Sequence, residues 1–201
     1  MHAGNKGIAS DSFCLRNAAR TVASMARLIR NRSIIDDDYA LLRDATSLAD
    51  VPDGVPVIVP LALWIARRAA LIARGEAGVW LAPADHPAAL AEDVHRLPVI
   101  AIDFPPFADD RGYAHARLLR ERYRYANELR AIGDVQGDQV LQLAQHGFNA
   151  FAIADSRDAD KALRVFAAGV GDEYRAKAAR VPGFGPHPRS PSPGDVWFPC
   201  A

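Results

Sequence analysis

The sequence predicts an α/β fold in which about five parallel strands alternate with helices. Short apolar runs recur from residue 55 onward, and longer segments with helical spacing of apolar residues separate them. This alternation is typical of β–α–β units and a parallel sheet. Most of the runs are too apolar for a strand with one wet face, and we therefore expect helices on both sides of the sheet.

Five apolar runs are the strand candidates. They are 55–59, 78–82, 98–103, 128–134 and 149–155. An open three-layer sheet of the flavodoxin type and an incomplete (β/α) barrel both fit this order, and the sequence does not separate them. In either fold the loops that follow the strands meet at one edge, which is where such sheets bind ligands.

The segments between the strands predict helices with identifiable ends. Residues 61–75 carry apolar side chains at helical spacing and end at Gly75, a typical C-terminal cap. A shorter helix is expected over 86–95 with Asp85 as its N-cap, and another over 112–123 with a strongly basic outer face.

Two more helices are expected in the second half of the chain. One lies within 135–148, with Asp134 available to cap its start. The last spans about 158–170, with Ser156 or Asp158 as its cap. Its predicted buried side consists of Ala162, Leu163 and Phe166.

Composition limits the class of protein. The chain has 201 residues, half of them apolar, which suits one domain. Lys plus Arg and Asp plus Glu both total 24, so no overall field attracts nucleic acid or an anionic membrane. No apolar run approaches the roughly 20 residues of a membrane span. Cys14 and Cys200 lack CxxC spacing, and we expect a cytoplasmic protein without disulfides.

Both ends of the chain differ in composition from its centre. Residues 1–24 lack the apolar core of a signal sequence, and we interpret them as a disordered extension ahead of the true start at Met25. From there the chain begins with a strand-like run. We expect a single α/β domain over 25–175 and a tail rich in Pro and Gly over 176–201.

The densest set of candidate binding residues follows the third predicted strand. Asp103 ends that strand, and Arg111, Gly112 and Tyr113 open the next helix. Backbone N–H groups at a helix start, together with a guanidinium group, complement sulfite, sulfate or phosphate. The alternative is a solvated loop in which Arg111 pairs with a neighbouring aspartate. We predict an anion-binding site here.

A second set of candidates follows the fourth predicted strand. Asp134 ends the strand, and Asp138 and Gln139 lie at the start of the next helix. Asp103 and Asp134 are the candidate catalytic carboxylates, and Arg130 could orient a ligand beside one of them. The structural alternative for Asp134 is a helix cap.

The helix over 112–123 supplies a candidate docking surface. Arg117, Arg120 and Arg124 are concentrated within a short stretch and could contact an acidic partner. Most charge runs are only solvated faces, and Glu121 can neutralise a neighbour. The sequence leaves both interpretations open.

Several common site motifs are missing from the sequence. It has neither the GxGxxG of a dinucleotide site nor the GxxxxGK[ST] of a P-loop. Its six histidines show no HExxH pattern, and its two cysteines do not suit an iron–sulfur cluster. We therefore expect no metal and no cofactor.

Four blocks of the sequence resemble the bacterial DUF934 family: RLIRNRSIIDDDYALL, LPVIAIDFPPFADDRGYAHARLLRERYRY, ELRAIGDVQGDQ and HGFNAF. The resemblance covers about residues 25–174. Members are often labelled oxidoreductases involved in sulfite reduction, but the family supplies no accepted catalytic residue. This chain has Asp110 and His146 where relatives tend to have Gly and Cys, and the second difference argues against a thiol mechanism.

The resemblance implies a function in sulfur assimilation and cysteine biosynthesis. We expect an accessory protein of assimilatory sulfite reduction that binds an oxyanion or docks on sulfite reductase or its electron donor. The alternative is a small-molecule oxidoreductase or lyase in which Arg111 and Tyr113 hold an anion and Asp103 or Asp134 is the base. A scaffold without ligand is the third hypothesis. Whether the chain is an enzyme stays open.

Overall fold

The computed structural model describes residues 27–30, 33–106, 110–153 and 156–169. The strands are β1 (Arg27–Arg30), β2 (Ser33–Ile35), β3 (Ala40–Leu41), β4 (Val57–Pro60), β5 (Ala77–Leu81), β6 (Val99–Phe104), β7 (Glu128–Gly133) and β8 (Ala150–Ile153). The helices are α1 (Leu61–Arg74), α2 (Arg111–Glu121), α3 (Val140–Gln145) and α4 (Ser156–Gly169). Short 3-10 helices span Leu48–Asp50, Pro87–Leu90 and Val94–Arg96.

The eight strands of the described residues form one sheet in the order β2-β1-β8-β7-β6-β5-β4-β3. Strands β3 to β8 are parallel and follow one another in chain order, whereas β1 runs antiparallel to β8 and β2 antiparallel to β1. The predicted α/β class with parallel strands and helices in alternation is confirmed. All five predicted strands are present.

The sheet is strongly curled. Its edge strands β2 and β3 are joined by residues 36–39 alone, and the step from Ile35 to Ala40 spans at most about 18 Å. Eight strands laid flat would place the two edges about 34 Å apart. The sheet therefore has the shape of a half-barrel, the second of the two architectures that the sequence left open.

The helices pack on one face of the sheet, which we call the outer face. Its strand residues, such as Val79, Ile100 and Leu129, join buried residues of all four helices in one large cluster. Right-handed crossovers between strands in sequential order place every helix on the same side. The expectation of helices on both sides is therefore wrong for the described part of the chain.

The opposite, inner face carries a small cluster of its own. Ile58, Val99, Ala101 and Ile132 are buried there, and the partly buried residues against them come from strands and from the segment after β2. The segment formed by residues 36–43, which we call the crossing segment, supplies Tyr39 and Leu41 to this cluster. A short piece of chain thus covers a face against which no helix of the described residues packs.

Local sequence explains most of the element ends. Gly75 caps α1 in the left-handed conformation with φ of 83°, as predicted. Residues 86–95 form two 3-10 helices instead of one α-helix, and His86 is the N-cap of the first, accepting from the backbone N–H of Ala88. Asp85 instead accepts from the N–H of Ala82 and closes the turn after β5. The predicted helix and its Asp85 cap are therefore wrong.

The two later helices match the sequence in position. Val140, Leu143 and Ala144 of α3 are buried, but the residue at its N-cap is Gln139, so the predicted cap at Asp134 is wrong. In α4, Ala159 and Ala162 are buried. The side chain of Phe166 lies outside the described residues, as do the predicted extension 1–24, the tail 176–201 and both cysteines. No helix among the described residues has the length and apolar character to cross a membrane.

Candidate functional site

The carboxyl edge of the sheet, where β3 to β8 end, holds an exposed ion pair. The Nη2 of Arg43 lies 2.9 Å from Oδ1 of Asp103. The guanidinium of Arg43 also lies 5.7 Å from the centre of the Trp80 ring, a cation–π distance. We call Arg43, Asp103 and Trp80 the rim triad. It joins the residues that follow β3 to the ends of β5 and β6.

The rim triad is built by strand pairing. Trp80 and Asp103 both point to the inner face, and Trp80 donates from its indole nitrogen to the carbonyl of Leu42, 3.1 Å away. That bond fixes the ring beside the chain that carries Arg43. The Arg43 side chain is 43% exposed and the Asp103 side chain 17% exposed. The carboxylate is thus sheltered while the guanidinium faces solvent.

Gly133 leaves room for Asp103 at the end of β7. It has φ of 95°, and a Cβ there would lie 2.8 Å from Oδ1 of Asp103 and closer still to the carbonyl oxygen of Phe104. Only glycine fits this position without strain. The sequence singled out Asp103 correctly as a rim residue, but its contact with Arg43 depends on β3, which the sequence did not reveal.

The predicted anion loop is only partly available to a ligand. Arg111 is exposed in the first turn of α2. Gly112 is buried, and a Cβ on it would lie 2.6 Å from Cζ of Phe104. Tyr113 packs edge-on against Phe104, with ring centres 5.4 Å apart. Gly112 and Tyr113 therefore serve packing in the described structure.

The ring of Tyr113 continues this packing to the end of α3. Its centre lies 4.8 Å from that of His146. Burial, together with the nearby carboxylate of Asp110, raises the pKa of Tyr113. The phenol therefore keeps its proton to a higher pH than an ordinary tyrosine does. His146 is thus a packing residue.

The candidate residues that follow the fourth predicted strand do not all come together in the structure. Asp134 is exposed, and its Oδ1 accepts from Nε2 of Gln136 at 3.2 Å. Asp138 is exposed beside it, and Gln139 accepts from the backbone N–H of Gln136. Arg130 points to the inner face and pairs with other carboxylates. The structure does not bring Arg130 together with these residues.

Arg130 is the centre of a buried charge network on the inner face. Its Nη1 lies 2.6 Å from Oδ2 of Asp37, and its Nη2 lies 2.7 Å from Oε1 of Glu128. Arg30 of β1 contacts the other oxygen of Glu128 at 3.2 Å. The Arg130 side chain is 1% exposed. Two cations and two anions balance, which satisfies the requirement for charges removed from water.

Tyr39 closes the network from the crossing segment. Its ring lies 5.5 Å from the guanidinium carbon of Arg130. Burial, and then the carboxylate of Glu128, raise the pKa of Tyr39. Burial alone would lower the pKa of Arg130, but Glu128 and Asp37 outweigh it and leave that pKa raised. The network therefore holds the crossing segment onto the middle of the sheet.

The predicted docking arginines have different environments. Arg117 is exposed and pairs with Glu121 at 3.0 Å along α2. Arg124 is exposed, in a turn with φ of 53°. Arg120 is buried, and it donates to the carbonyl oxygens of Gly147 at 2.9 Å and Asn127 at 2.9 Å, among others. Arg120 is thus a structural residue, and its assignment to a docking surface is wrong.

The described residues contain no group of three or more His, Cys, Asp or Glu arranged to hold a metal ion.

The family described as bacterial protein of unknown function (DUF934) matches residues 78–184, more than half of the 201 residues. The chain belongs to the DUF934 family. No curated protein matches it. The DUF934 match includes Trp80, Asp103 and Arg130, whereas Arg43 and Asp37 precede it.

Proposed function

We propose that this DUF934 chain is a cytoplasmic accessory protein of assimilatory sulfite reduction, and that it binds a small oxyanion at the carboxyl edge of its sheet. The observation that carries the binding site is the exposed guanidinium of Arg43, which Asp103 and Trp80 hold in place. The pathway, with its link to sulfur assimilation and cysteine biosynthesis, comes from the label that DUF934 members often carry.

Arg43 suits an oxyanion in both chemistry and position. A guanidinium presents several N–H donors in one plane, which matches two oxygens of a sulfite or phosphate. Among the described residues, Arg43 uses one of these donors, toward Asp103. The cation–π contact with Trp80 holds the guanidinium before a ligand arrives, which lowers the entropic cost of binding. Ligands of curled parallel sheets bind at this edge.

Calorimetric titration with sulfite tests the site. Arg43→Ala should weaken binding about tenfold or more, since a hydrogen bond to a charged group contributes about 1.5–3 kcal/mol. Arg111→Ala tests the predicted anion loop on the same edge, and we expect a smaller effect because Gly112 and Tyr113 are used in packing. Arg96→Ala, an exposed arginine ahead of β6, is the control for net charge.

Three results would contradict the proposal. If the wild-type protein does not bind sulfite, the chain is not an oxyanion-binding protein of this kind. If Arg111→Ala abolishes binding and Arg43→Ala does not, the site lies in the loop before α2. Equal loss in all three variants would indicate a general effect of charge.

A second candidate function rests on the exposed arginines of α2 and the turn after it. Arg117, Arg122 and Arg124 are exposed close together, with Glu121 as the nearby acidic residue. Such a surface fits an acidic face of sulfite reductase or of its electron donor. The double variant Arg117→Glu with Arg124→Glu should weaken binding to purified reductase about tenfold or more, whereas Arg96→Glu should not.

Docking would be contradicted if the wild-type protein and the double variant bind the reductase equally, or if neither binds.

An enzymatic function is the remaining alternative. Asp103 would then be the base beside an anion held by Arg43, in a small-molecule oxidoreductase or lyase. Turnover of sulfite by the protein with added electron donors, lost in Asp103→Asn, would favour the enzyme.

A further inference from the structure

The carboxylate in the rim triad imposes a condition on any oxyanion that Arg43 binds. Oδ1 of Asp103 faces Arg43 at 2.9 Å. Oδ2 of Asp103 has no hydrogen-bond partner among the described residues, and the side chain is only 17% exposed. An anion that binds the open donors of Arg43 on the side of Asp103 therefore also lies near a carboxylate oxygen.

A carboxylate next to a bound oxyanion distinguishes two kinds of ligand. A fully deprotonated anion offers only acceptor oxygens, so its approach to Asp103 leaves two like charges in contact. An oxyanion that carries an O–H group donates that proton to the carboxylate and forms a charge-assisted hydrogen bond. Specificity of this type comes from repulsion of the wrong ligand as much as from attraction of the right one.

We propose that the rim triad selects oxyanions that carry an O–H proton, such as hydrogensulfite or hydrogenphosphate, and excludes sulfate. The inference rests on the proposed function and names the class of ligand for its site. Arg43 binds the anionic oxygens, Asp103 accepts the proton of the ligand in a hydrogen bond, and Trp80 holds the guanidinium. No covalent bond changes.

The fold keeps the carboxylate in its place. Asp103 pairs with Ile132 across β6 and β7, and Phe104 pairs with Gly133. Oδ1 of Asp103 occupies the space that a side chain at residue 133 would take. The acceptor is thus fixed by the strand pairing and by the glycine beside it.

A preference for protonated oxyanions fits a role in sulfite reduction. Sulfite near neutral pH exists partly as hydrogensulfite, whereas sulfate, its more oxidised relative, carries no proton there. A carboxylate at this position therefore favours binding of the substrate of sulfite reduction over binding of sulfate. Phosphate carries a proton across the same range, and the experiment must distinguish it from sulfite.

Calorimetric titrations with sodium sulfite, phosphate and sulfate, on both sides of neutral pH, test the inference on the full-length protein. The wild type should bind sulfite or phosphate about tenfold or more tightly than sulfate. Its affinity for sulfite should fall as the pH rises, since the ligand loses its proton. Whichever of sulfite and phosphate binds more tightly identifies the ligand.

Asp103→Asn is the decisive variant because an amide is nearly the same size and offers a donor. It should raise the affinity for sulfate about tenfold or more and reduce the dependence of sulfite binding on pH. Asp44→Asn is the matched control, since it removes the same charge from an exposed residue next to Arg43. This control should leave the order of affinities unchanged.

The failures can be told apart. Equal binding of sulfate and sulfite by the wild type, or no gain of sulfate binding in Asp103→Asn, overturns the selectivity and leaves oxyanion binding intact. A gain of sulfate binding in Asp44→Asn as large as in Asp103→Asn also overturns it, because net charge would then explain the effect. If no variant binds any of the three anions, the proposed function fails as well.

Discussion

The two faces of the curled sheet use the same strands for different purposes. On the outer face, Leu129 and Ala131 of β7 are buried among helices in one apolar cluster. On the inner face, Glu128 and Arg130 of the same strand are just as buried, but they are charged and lie beneath the crossing segment. Alternation along one strand thus separates a hydrophobic core from a network of ion pairs.

The difference follows from topology. Strands in sequential order send their helices to one side, and among the described residues the other side receives only those that join the two edges of the sheet. The crossing segment is too short to bury that side with apolar groups alone. Its Asp37 and Tyr39 meet Arg130 instead. In the described structure, paired charged groups therefore occupy part of the face on which helices do not pack.

The largest expected effect is on the inner face. Arg130→Met should lower the free energy of unfolding by about 3–5 kcal/mol, because it leaves Asp37 without its cation and the buried carboxylate of Glu128 with Arg30 alone. Urea unfolding at neutral pH measures this. The result tests whether the inner face is held by charge or merely by its small apolar cluster.

A compensated variant sharpens that test. Arg130→Met combined with Glu128→Gln and Asp37→Asn removes the uncompensated charges together with their partner. It should recover part of the lost stability. If the single variant loses less than about 1 kcal/mol, charge pairing does not hold the crossing segment, and the comparison between the two faces fails.

The next effect lies on the outer face. Gly112→Ala should destabilise the protein by about 1–3 kcal/mol, although alanine is the better helix former, because the new Cβ would lie 2.6 Å from the Phe104 ring. Thermal unfolding measures the loss. Phe104→Leu in the same chain makes room and should reduce the penalty.

The Gly112→Ala variant also tests whether the loop before α2 binds an anion. If Gly112→Ala is neutral for stability but weakens sulfite binding, Gly112 belongs to an anion site, as the sequence suggested. If the variant is destabilised and binds sulfite normally once folded, Gly112 is a packing residue. The outer face is then a core that tolerates little added volume.

The sequence predicted the outer face better than the inner one. Strands β4 to β8 and helix α1 were found because apolar residues at regular spacing report burial against helices. Arg130 was named as a candidate, but its partner Asp37 lies far away in the chain, and no local pattern links the two. Ion pairs between distant segments depend on the sheet order.

Arg43 was missed for a related reason. It follows β3, a strand of two residues that carries no periodicity, and its contact with Asp103 exists only because β3 lies at one edge of the sheet. Arg120 was misassigned because arginines on a helix look alike in sequence. Its burial depends on the carbonyl oxygens around Gly147, which only the folded chain brings to it.

The smallest expected effect is on folding stability at alkaline pH. One tyrosine from each face of the sheet tests it. Tyr125 packs in the outer cluster with its hydroxyl 3.0 Å from the carbonyl of Glu128, and Tyr39 lies on the inner face. Burial raises the pKa of both phenols above the ordinary 10.0, well above it for Tyr125. The folded state therefore keeps these protons at a pH at which the unfolded chain loses them.

The sign of the pH dependence follows directly. Stability from these groups is fully present below pH 10.0, the ordinary tyrosine value, and falls as the pH rises through that value toward the folded pKa. Tyr125→Phe should flatten this alkaline decline in urea unfolding more than Tyr39→Phe does, since burial of Tyr125 is complete. An unchanged slope in Tyr125→Phe would contradict the raised pKa. A larger change in Tyr39→Phe would mean that the inner face is the drier of the two.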